Sequence, residues 1–227
     1  MKKIFRIFTF TFFLFSALPN AHAQEHQPFY SDIQSFKKQD SLHFPPAKAI
    51  LFIGSSSFTK WKDVQDYFPG YTIINRGFGG SSLPDVIRYT GDIIFPYNPK
   101  QIVIYCGEND LAASDTVTAN MVFARFTQLF DLIRNHMPGV PVDFVSLKPS
   151  PSRTHLMKKM EAANTMIKEF LKNKKNAEFI DVYPAMLNGD GAPMKDIFLE
   201  DNLHMNAKGY AIWKRIFLPY LLKNKSI

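Results

Sequence analysis

Short apolar runs rich in β-branched residues alternate with longer helical patterns along most of this chain, and that alternation restricts its possible folds. Five runs have the length and composition of buried strands: residues 49–53, 72–75, 101–105, 142–146 and 178–181. Helical periodicity follows near residues 83–89, 117–136, 153–173 and 207–222. Because strands separated by helices form a parallel sheet covered on both faces, we expect a three-layer α/β/α domain with right-handed connections.

The first residues have the pattern of a targeting segment. Lys2, Lys3 and Arg6 are positively charged, residues 7–18 are apolar but too few to span a bilayer comfortably, and Ala21-His22-Ala23 has a small-x-small cleavage pattern. We therefore predict a signal peptide at residues 1–23, a mature chain starting at Gln24, and a periplasmic or secreted protein. The residue directly after the predicted cleavage site is not a cysteine, which argues against a lipoprotein anchor, and no later segment predicts a transmembrane helix.

The rest of the chain has a length typical of one domain with a full core. Residues 24–48 form a polar lead-in segment, and its Pro45-Pro46 pair stops any helix before the first strand. Residues 49–227 then form the α/β domain.

Charge and cysteine content narrow the function classes. The formal net charge of +7 falls to +4 when Lys2, Lys3 and Arg6 leave with the signal peptide. Much of the remaining excess lies in residues 168–175 and 208–225, where helical periodicity predicts a solvated lysine face. Nucleic-acid binding is therefore not expected. Cys106 is the only cysteine, and at the end of a β run we expect it to be a small buried apolar residue rather than a nucleophile.

Three of the predicted strands run into loops of small and polar residues, at the sheet edge where parallel sheets hold their sites. In the first loop, residues 54–57 read Gly-Ser-Ser-Ser and place hydroxyls at the start of a helix. Such a serine can act as a nucleophile beside outward-pointing N–H groups, or it can simply cap the helix.

The second loop, residues 75–81, has three glycines within four positions. It lacks the spacing of a dinucleotide-binding loop and has no Walker lysine, so a backbone N–H donor for an oxyanion and a tight turn both remain open. In the third loop, Asn109 offers a neutral amide that can donate to an oxyanion, although Asn is also common in turns.

Asp201 precedes His204 by three residues, just before the last predicted helix. A carboxylate at that distance can bond one ring nitrogen, fix the tautomer and leave the other nitrogen free to accept a proton from a serine. The pair therefore predicts a catalytic base more strongly than an isolated histidine would.

Four blocks in this order resemble the SGNH hydrolase superfamily, also called GDSL-like lipases and acylhydrolases. They are residues 54–57, residues 77–81, the Gly-x-Asn-Asp block at 107–110, and Asp201-x-x-His204. Together they extend over nearly the whole predicted mature chain. The resemblance implies a three-layer α/β/α sandwich with a flavodoxin-like, five-stranded parallel central sheet.

The resemblance also implies roles for single residues. Ser56 would be the nucleophile, His204 the general base and Asp201 its orienting partner. The oxyanion would be bound by the Ser56 N–H, the Gly80 N–H and the Asn109 amide. Gly80 is preferred to Gly79 because the family's glycine precedes a small polar residue, here Ser81.

The first block departs from the family signature, because Ser55 and Ser57 replace its Asp and Leu. Neither replaced position performs the acyl chemistry, so the departure indicates a subgroup. The variant resembles the branch with platelet-activating-factor-acetylhydrolase-like and carbohydrate-esterase members.

These features predict an ester hydrolase that uses an acyl-enzyme intermediate and no metal or organic cofactor. We expect small acyl esters as substrates, acetyl groups on carbohydrate among them, because no long apolar insertion predicts a lipase lid. Lysophospholipase or thioesterase activity, acyl transfer to a sugar, and a non-catalytic carbohydrate-binding module remain alternatives. No stable membrane insertion is expected, and the sequence does not indicate an oligomeric state.

Four residues near predicted strand ends would line the pocket: Arg76, Phe78, Glu108 and Lys148. For Arg76 and Lys148, the alternative is that they are ordinary surface charges.

Overall fold

All five strands of the central sheet are parallel. The computed structural model describes residues 27–224, so the predicted signal peptide lies outside the described residues. The strands are β1 (Ile50–Gly54), β2 (Ile73–Gly77), β3 (Gln101–Tyr105), β4 (Val142–Val145) and β5 (Ala177–Ile180). Their order is β2-β1-β3-β4-β5, with every pairing parallel, which is the flavodoxin-like arrangement. The predicted fold class is confirmed.

Helices cover both faces of this sheet. In chain order they are α1 (Tyr30–Leu42), α2 (Ser56–Thr59), α3 (Val64–Tyr67), α4 (Leu83–Arg88), α5 (Thr90–Ile93), α6 (Glu108–Ala113), α7 (Ala119–His136), α8 (Met157–Lys172) and α9 (Ala207–Phe217). One apolar core joins the sheet to α1, α4, α5, α7 and α8, and the other joins it to α2, α3 and α9.

Strands β1, β3 and β4 are mostly apolar because both of their faces are buried, whereas the edge strands β2 and β5 are partly exposed. In β1, Leu51 and Ile53 enter the first core, whereas Ile50 and Phe52 enter the second. A strand buried on both faces loses the polar alternation of a half-exposed strand, and for that reason the continuous apolar runs predicted this sheet well.

The lead-in segment contains a helix that the sequence analysis did not predict. Helix α1 packs Ile33 into the first core, and its Asp40 forms an ion pair with Arg76 of β2. Pro45 and Pro46 follow the end of α1, as the predicted stop signal requires.

Several helix boundaries differ from the predicted ones for identifiable reasons. Helix α7 begins at Ala119 because the Thr118 hydroxyl accepts a hydrogen bond from the Met121 N–H at 3.3 Å. Residues Pro151–Leu156 form a 3-10 helix with a kink at Arg153, so α8 begins only at Met157. Helix α9 ends at Phe217 rather than residue 222, because Pro219 cannot continue it.

Two expectations about single features can be compared with the described residues. Cys106 is a free thiol with no exposed surface, as predicted. Within residues 27–224, no helix has the length and apolar character needed to cross a membrane.

A buried polar pair anchors the end of the chain to the sheet. The side chain of Gln101 donates to Asp143 Oδ2 at 2.5 Å and to the Tyr220 carbonyl at 2.8 Å, and it accepts from the Leu222 N–H at 2.8 Å. Asp143 is 2% exposed, and burial raises the pKa of its carboxyl to about 7.

This pKa makes stability depend on pH. Between about pH 4 and 7 the folded chain keeps a proton on Asp143 that the unfolded chain releases, so stability falls as pH rises through that window, by up to ~1.4 kcal/mol per pH unit. Asp143→Asn keeps an oxygen acceptor for Gln101 without an ionisable group. The stability of this variant should therefore fall less than that of wild type as pH rises. Urea unfolding at pH 5 and pH 8 measures the difference, with the exposed Asp196→Asn as control. The same pH dependence in Asp143→Asn and wild type would contradict this assignment.

Candidate active site

The end of β1 places the serine turn against β3. Gly54 has φ +128°, and a Cβ there would lie 2.0 Å from the Tyr105 carbonyl oxygen, so only glycine fits. The Ser55 N–H then donates to that same carbonyl at 2.9 Å, and Ser56 becomes the first residue of α2. This close contact between backbones fixes where the serines leave the sheet.

The glycine loop after β2 is bound to the same turn. The Phe78 N–H and the Ser81 hydroxyl both donate to the Gly54 carbonyl, at 2.9 and 3.2 Å. Gly80 lies exposed between them with φ +87°, in the left-handed region that favours glycine. A Cβ on Gly79 would lie 3.9 Å from the Ser56 Cβ, so this loop borders the serine.

The third loop joins the other two through one side chain. Asn109, in the first turn of α6, donates from Nδ2 to Ser55 Oγ at 2.7 Å and to the Ser81 carbonyl at 3.0 Å. The amide predicted as an oxyanion donor therefore contacts both the serine turn and the glycine loop.

Asp201 and His204 form a hydrogen-bonded pair. His204 Nδ1 lies 2.6 Å from Asp201 Oδ2, while Asp201 Oδ1 accepts from the Leu203 and His204 N–H groups, each at 2.9 Å. Partial burial opposes ionisation of Asp201, but the hydrogen bonds from His204 and Leu203 outweigh it and lower the pKa of the carboxyl to about 2. Asn202, with φ 55°, makes the turn between the two side chains.

One hydrogen bond within this loop, one to the segment after β4, and one from the following helix α9 to α2 surround the pair at the carboxyl edge of the sheet. The Leu199 N–H donates to the His204 carbonyl at 2.8 Å, and the Ser152 N–H donates to the Asn202 carbonyl at 3.1 Å. The Tyr210 hydroxyl of α9 donates to the Ser57 carbonyl of α2 at 2.9 Å. Among the described residues, however, no hydrogen bond joins Ser56 Oγ to the ring of His204.

A cluster of charged side chains is buried beside Asn109. Glu108 and Lys148 are 4% and 1% exposed, and Lys148 Nζ lies 3.2 Å from Glu108 Oε2. Arg153 reaches Glu108 Oε1 at 3.0 Å, and the Tyr105 hydroxyl also donates to Glu108. Burial opposes the charge on Glu108, but the positive charges of Lys148 and Arg153 overcome that effect and hold the pKa of its carboxyl below the usual value.

The predicted pocket-lining residues are all buried. Arg76 pairs with Asp40, donates to the Tyr97 hydroxyl at 2.7 Å and lies against the Phe36 ring on the α1 side of the sheet. Phe78 has no exposed surface, so its burial, like that of Arg76, corrects the prediction that these side chains line a pocket.

Surface charge is the wrong alternative for both Arg76 and Lys148, because Arg76 is 7% exposed and Lys148 is 1% exposed. Glu108 and Lys148 are buried together in the ion cluster that also includes Arg153.

Two residues of the site were missed from the sequence. Ser55 was considered only as a departure from the family signature, yet its hydroxyl accepts from Asn109. Arg153 was counted within a predicted helix, and its contact with Asn109 Oδ1 at 2.9 Å spans 44 residues. No local pattern indicated that contact, although Pro151 beside it could have indicated that the helix starts later.

Some residues that border the site are exposed. Gly79, Gly80 and Leu199 are exposed, with Leu199 at 48%. Two cavities of about 530 and 800 Å³ are both lined by Lys48 and Lys100, which precede strands, and so lie at the opposite edge of the sheet. Within residues 27–224, no group of three His, Cys, Asp or Glu side chains is arranged to hold a metal ion.

Comparison with known proteins agrees with this arrangement. Residues 53–212 match the model of the GDSL-like Lipase/Acylhydrolase family. The chain therefore belongs to the GDSL-like lipase/acylhydrolase family, and it is a carboxylic ester hydrolase. No curated protein sequence matches the chain.

Solved structures share the fold at low sequence identity. A Streptococcus pneumonia protein assigned as a platelet activating factor is 20% identical with a TM-score of 0.74, over 88% of this chain and 92% of its own. A GDSL-like lipase from Bacteroides thetaiotaomicron is 19% identical with a TM-score of 0.71, over 83% and 96%. A single-residue mutant of an acetyl-xylooligosaccharide esterase from Geobacillus stearmophilus is 16% identical with a TM-score of 0.61, over 81% and 98%.

Proposed function

We propose that this ester hydrolase is an exported serine esterase that removes small acyl groups, acetyl among them, from carbohydrate. In this proposal Ser56 is the nucleophile, His204 the general base and Asp201 its orienting partner. The observation that carries it is the 2.6 Å contact between Asp201 and His204 Nδ1, held at the same sheet edge as the Ser56 turn.

The chemistry follows from which ring nitrogen is occupied. Asp201 engages Nδ1 of His204, so Nε2 is the nitrogen that accepts the Ser56 hydroxyl proton as Oγ bonds to the ester carbonyl carbon. The tetrahedral intermediate then collapses, its bond to the alcohol oxygen breaks, and Nε2 returns the proton to the leaving alcohol. Water repeats the same steps on the acyl-enzyme and releases the acid.

Asp201 stabilises the imidazolium that forms in each step. With its pKa near 2, the carboxyl stays ionised at any pH where an esterase is commonly assayed. The bond from Ser56 to His204 would form on substrate binding, because catalytic hydrogen bonds are often long in unliganded enzymes.

Three donors would bind the oxyanion: the Ser56 N–H, the Gly80 N–H and the Asn109 amide. One Nδ2 hydrogen of Asn109 faces the Ser81 carbonyl, and the other faces Ser55 Oγ. The bond to Ser81 keeps the amide in place, so the hydrogen that faces Ser55 is the one available to the oxyanion. Removing one such donor typically costs ~10²–10³ in turnover.

The choice of a small acyl group on carbohydrate is supported by the exposure of Gly79 and Gly80 beside Ser56 and by fold similarity to the acetyl-xylooligosaccharide esterase. Leu199 is exposed and its N–H bonds the His204 carbonyl, so we propose that its side chain contacts the acyl group. A single leucine suits an acetyl or butyryl group better than a long chain.

Hydrolysis of p-nitrophenyl acetate tests the nucleophile. Ser56→Ala should lower kcat by ~10³-fold or more, because no other hydroxyl replaces the attacking oxygen. The adjacent Ser57→Ala, at a residue 2% exposed, should stay within a few-fold of wild type and serves as the matched control. Equal release by Ser56→Ala and wild type would reject Ser56, and no release by wild type would favour acyl transfer or a binding module.

The same assay with butyrate and decanoate esters tests the acyl preference. We expect kcat/KM to fall from acetate to decanoate at least tenfold. A rise with chain length would favour a lysophospholipase or thioesterase instead.

Export has its own test. When the full chain is expressed in a bacterium with an intact secretion pathway, the exported fraction should have the mass of a chain starting at Gln24. Recovery of the protein only in the cytoplasm, with residues 1–23 attached, would contradict export.

A further inference from the structure

Arg153 holds two adjacent residues of α6 with one guanidinium group. One terminal nitrogen donates to Asn109 Oδ1 at 2.9 Å, and the other lies 3.0 Å from Glu108 Oε1. The side chain is 16% exposed and comes from the 3-10 helix Pro151–Leu156, which follows β4. Nothing in the catalytic steps above uses it.

The first consequence concerns the orientation of the Asn109 amide. A rotation of 180° about its last side-chain bond exchanges the oxygen and the nitrogen. In the observed orientation Oδ1 meets the Arg153 donor and Nδ2 meets the Ser81 carbonyl. The reverse orientation would set oxygen against oxygen at Ser81 and N–H against N–H at Arg153. Arg153 and Ser81 therefore keep the N–H edge towards the Ser56 turn.

The second consequence is electrostatic. The positively charged guanidinium of Arg153 donates directly to Oδ1 of Asn109, at 2.9 Å. A charge-assisted bond to Oδ1 draws electron density from the amide and makes its N–H a stronger donor.

The same 3-10 helix contacts the loop of the base. The Ser152 N–H donates to the Asn202 carbonyl, between Asp201 and His204. The residue before Arg153 thus bonds the loop that carries the base, while Arg153 itself bonds the oxyanion donor. The backbone of Arg153 departs from helical geometry at φ −121°, in the middle of this short segment.

We infer that Arg153 is a positioning residue for the oxyanion site, which fixes the orientation of the Asn109 amide and strengthens its N–H as a donor. This inference rests on the proposed function, because it requires Asn109 to bind the oxyanion. Arg153 acts through Asn109, so its effect on turnover depends on that side chain being present.

A double-mutant cycle on p-nitrophenyl acetate hydrolysis measures this dependence. Arg153→Ala should lower kcat by ~10-fold or more with KM within about three-fold, because the loss falls on the transition state. In an Asn109→Ala background, Arg153→Ala should change kcat by less than about two-fold. Added guanidinium chloride should restore part of the activity of Arg153→Ala but none of that of the double variant. If the fold-losses in kcat of Arg153→Ala and Asn109→Ala multiply in the double variant, the inference is overturned.

A neighbouring ion pair supplies the matched control. Arg125 lies 2.7 Å from Asp110, the residue after Asn109, without contacting the Asn109 amide. Arg125→Ala should lower Tm and leave kcat unchanged at temperatures where it is folded. If Arg153→Ala does not fold, as judged by Tm, Arg153→Lys replaces it in the cycle, since lysine keeps the charge but lacks the planar fork whose two terminal nitrogens reach Asn109 and Glu108 separately.

Failure of the inference and failure of the proposed function give different results. If Ser56→Ala or Asn109→Ala retains full kcat, the proposed catalytic assignments are wrong. If both lose activity and the effects of Arg153 and Asn109 multiply, only the role of Arg153 is wrong.

Discussion

The side-chain amide of Asn109 ties together the ends of three parallel strands. It bonds the serine turn after β1 through Ser55, the glycine loop after β2 through Ser81, and the segment after β4 through Arg153. Apart from Phe78, residues 54–57 and 77–81 are all glycine or serine, with little apolar surface to bury. Their common geometry therefore depends on hydrogen bonds among them, and Asn109 makes three.

The sheet beneath makes this arrangement possible. Its central strands are buried on both faces, so two apolar cores hold the strand ends from which the polar loops leave. Gly54 lets β1 run against β3 so closely that a Cβ would collide with the Tyr105 carbonyl. The cores position the loops, and the polar contacts then orient side chains within them.

Much of this organisation could be predicted from local pattern. Apolar runs marked all five strands, and four short blocks marked the loops that the structure brings to one edge of the sheet. Pairings between distant residues could not be predicted. Arg76 meets Asp40 across 36 residues, and Arg153 meets Asn109 across 44, so neither spacing corresponds to a helix or strand period. Burial of Lys148 was missed for the same reason: its partner Glu108 is 40 residues away.

The function assigned to these contacts depends on which serine carries the acyl group. Ser55, Ser56 and Ser57 are adjacent and share one tryptic peptide, residues 49–60. Ser55 is 4% exposed and Ser57 is 2% exposed, whereas Ser56 is only half-buried. Labelling the folded enzyme with a fluorophosphonate and sequencing that peptide by tandem mass spectrometry locates the nucleophile directly. The account predicts a single adduct on Ser56, much slower to form in His204→Ala; an adduct on Ser55 or Ser57, or equal labelling of Ser56→Ala, would contradict it.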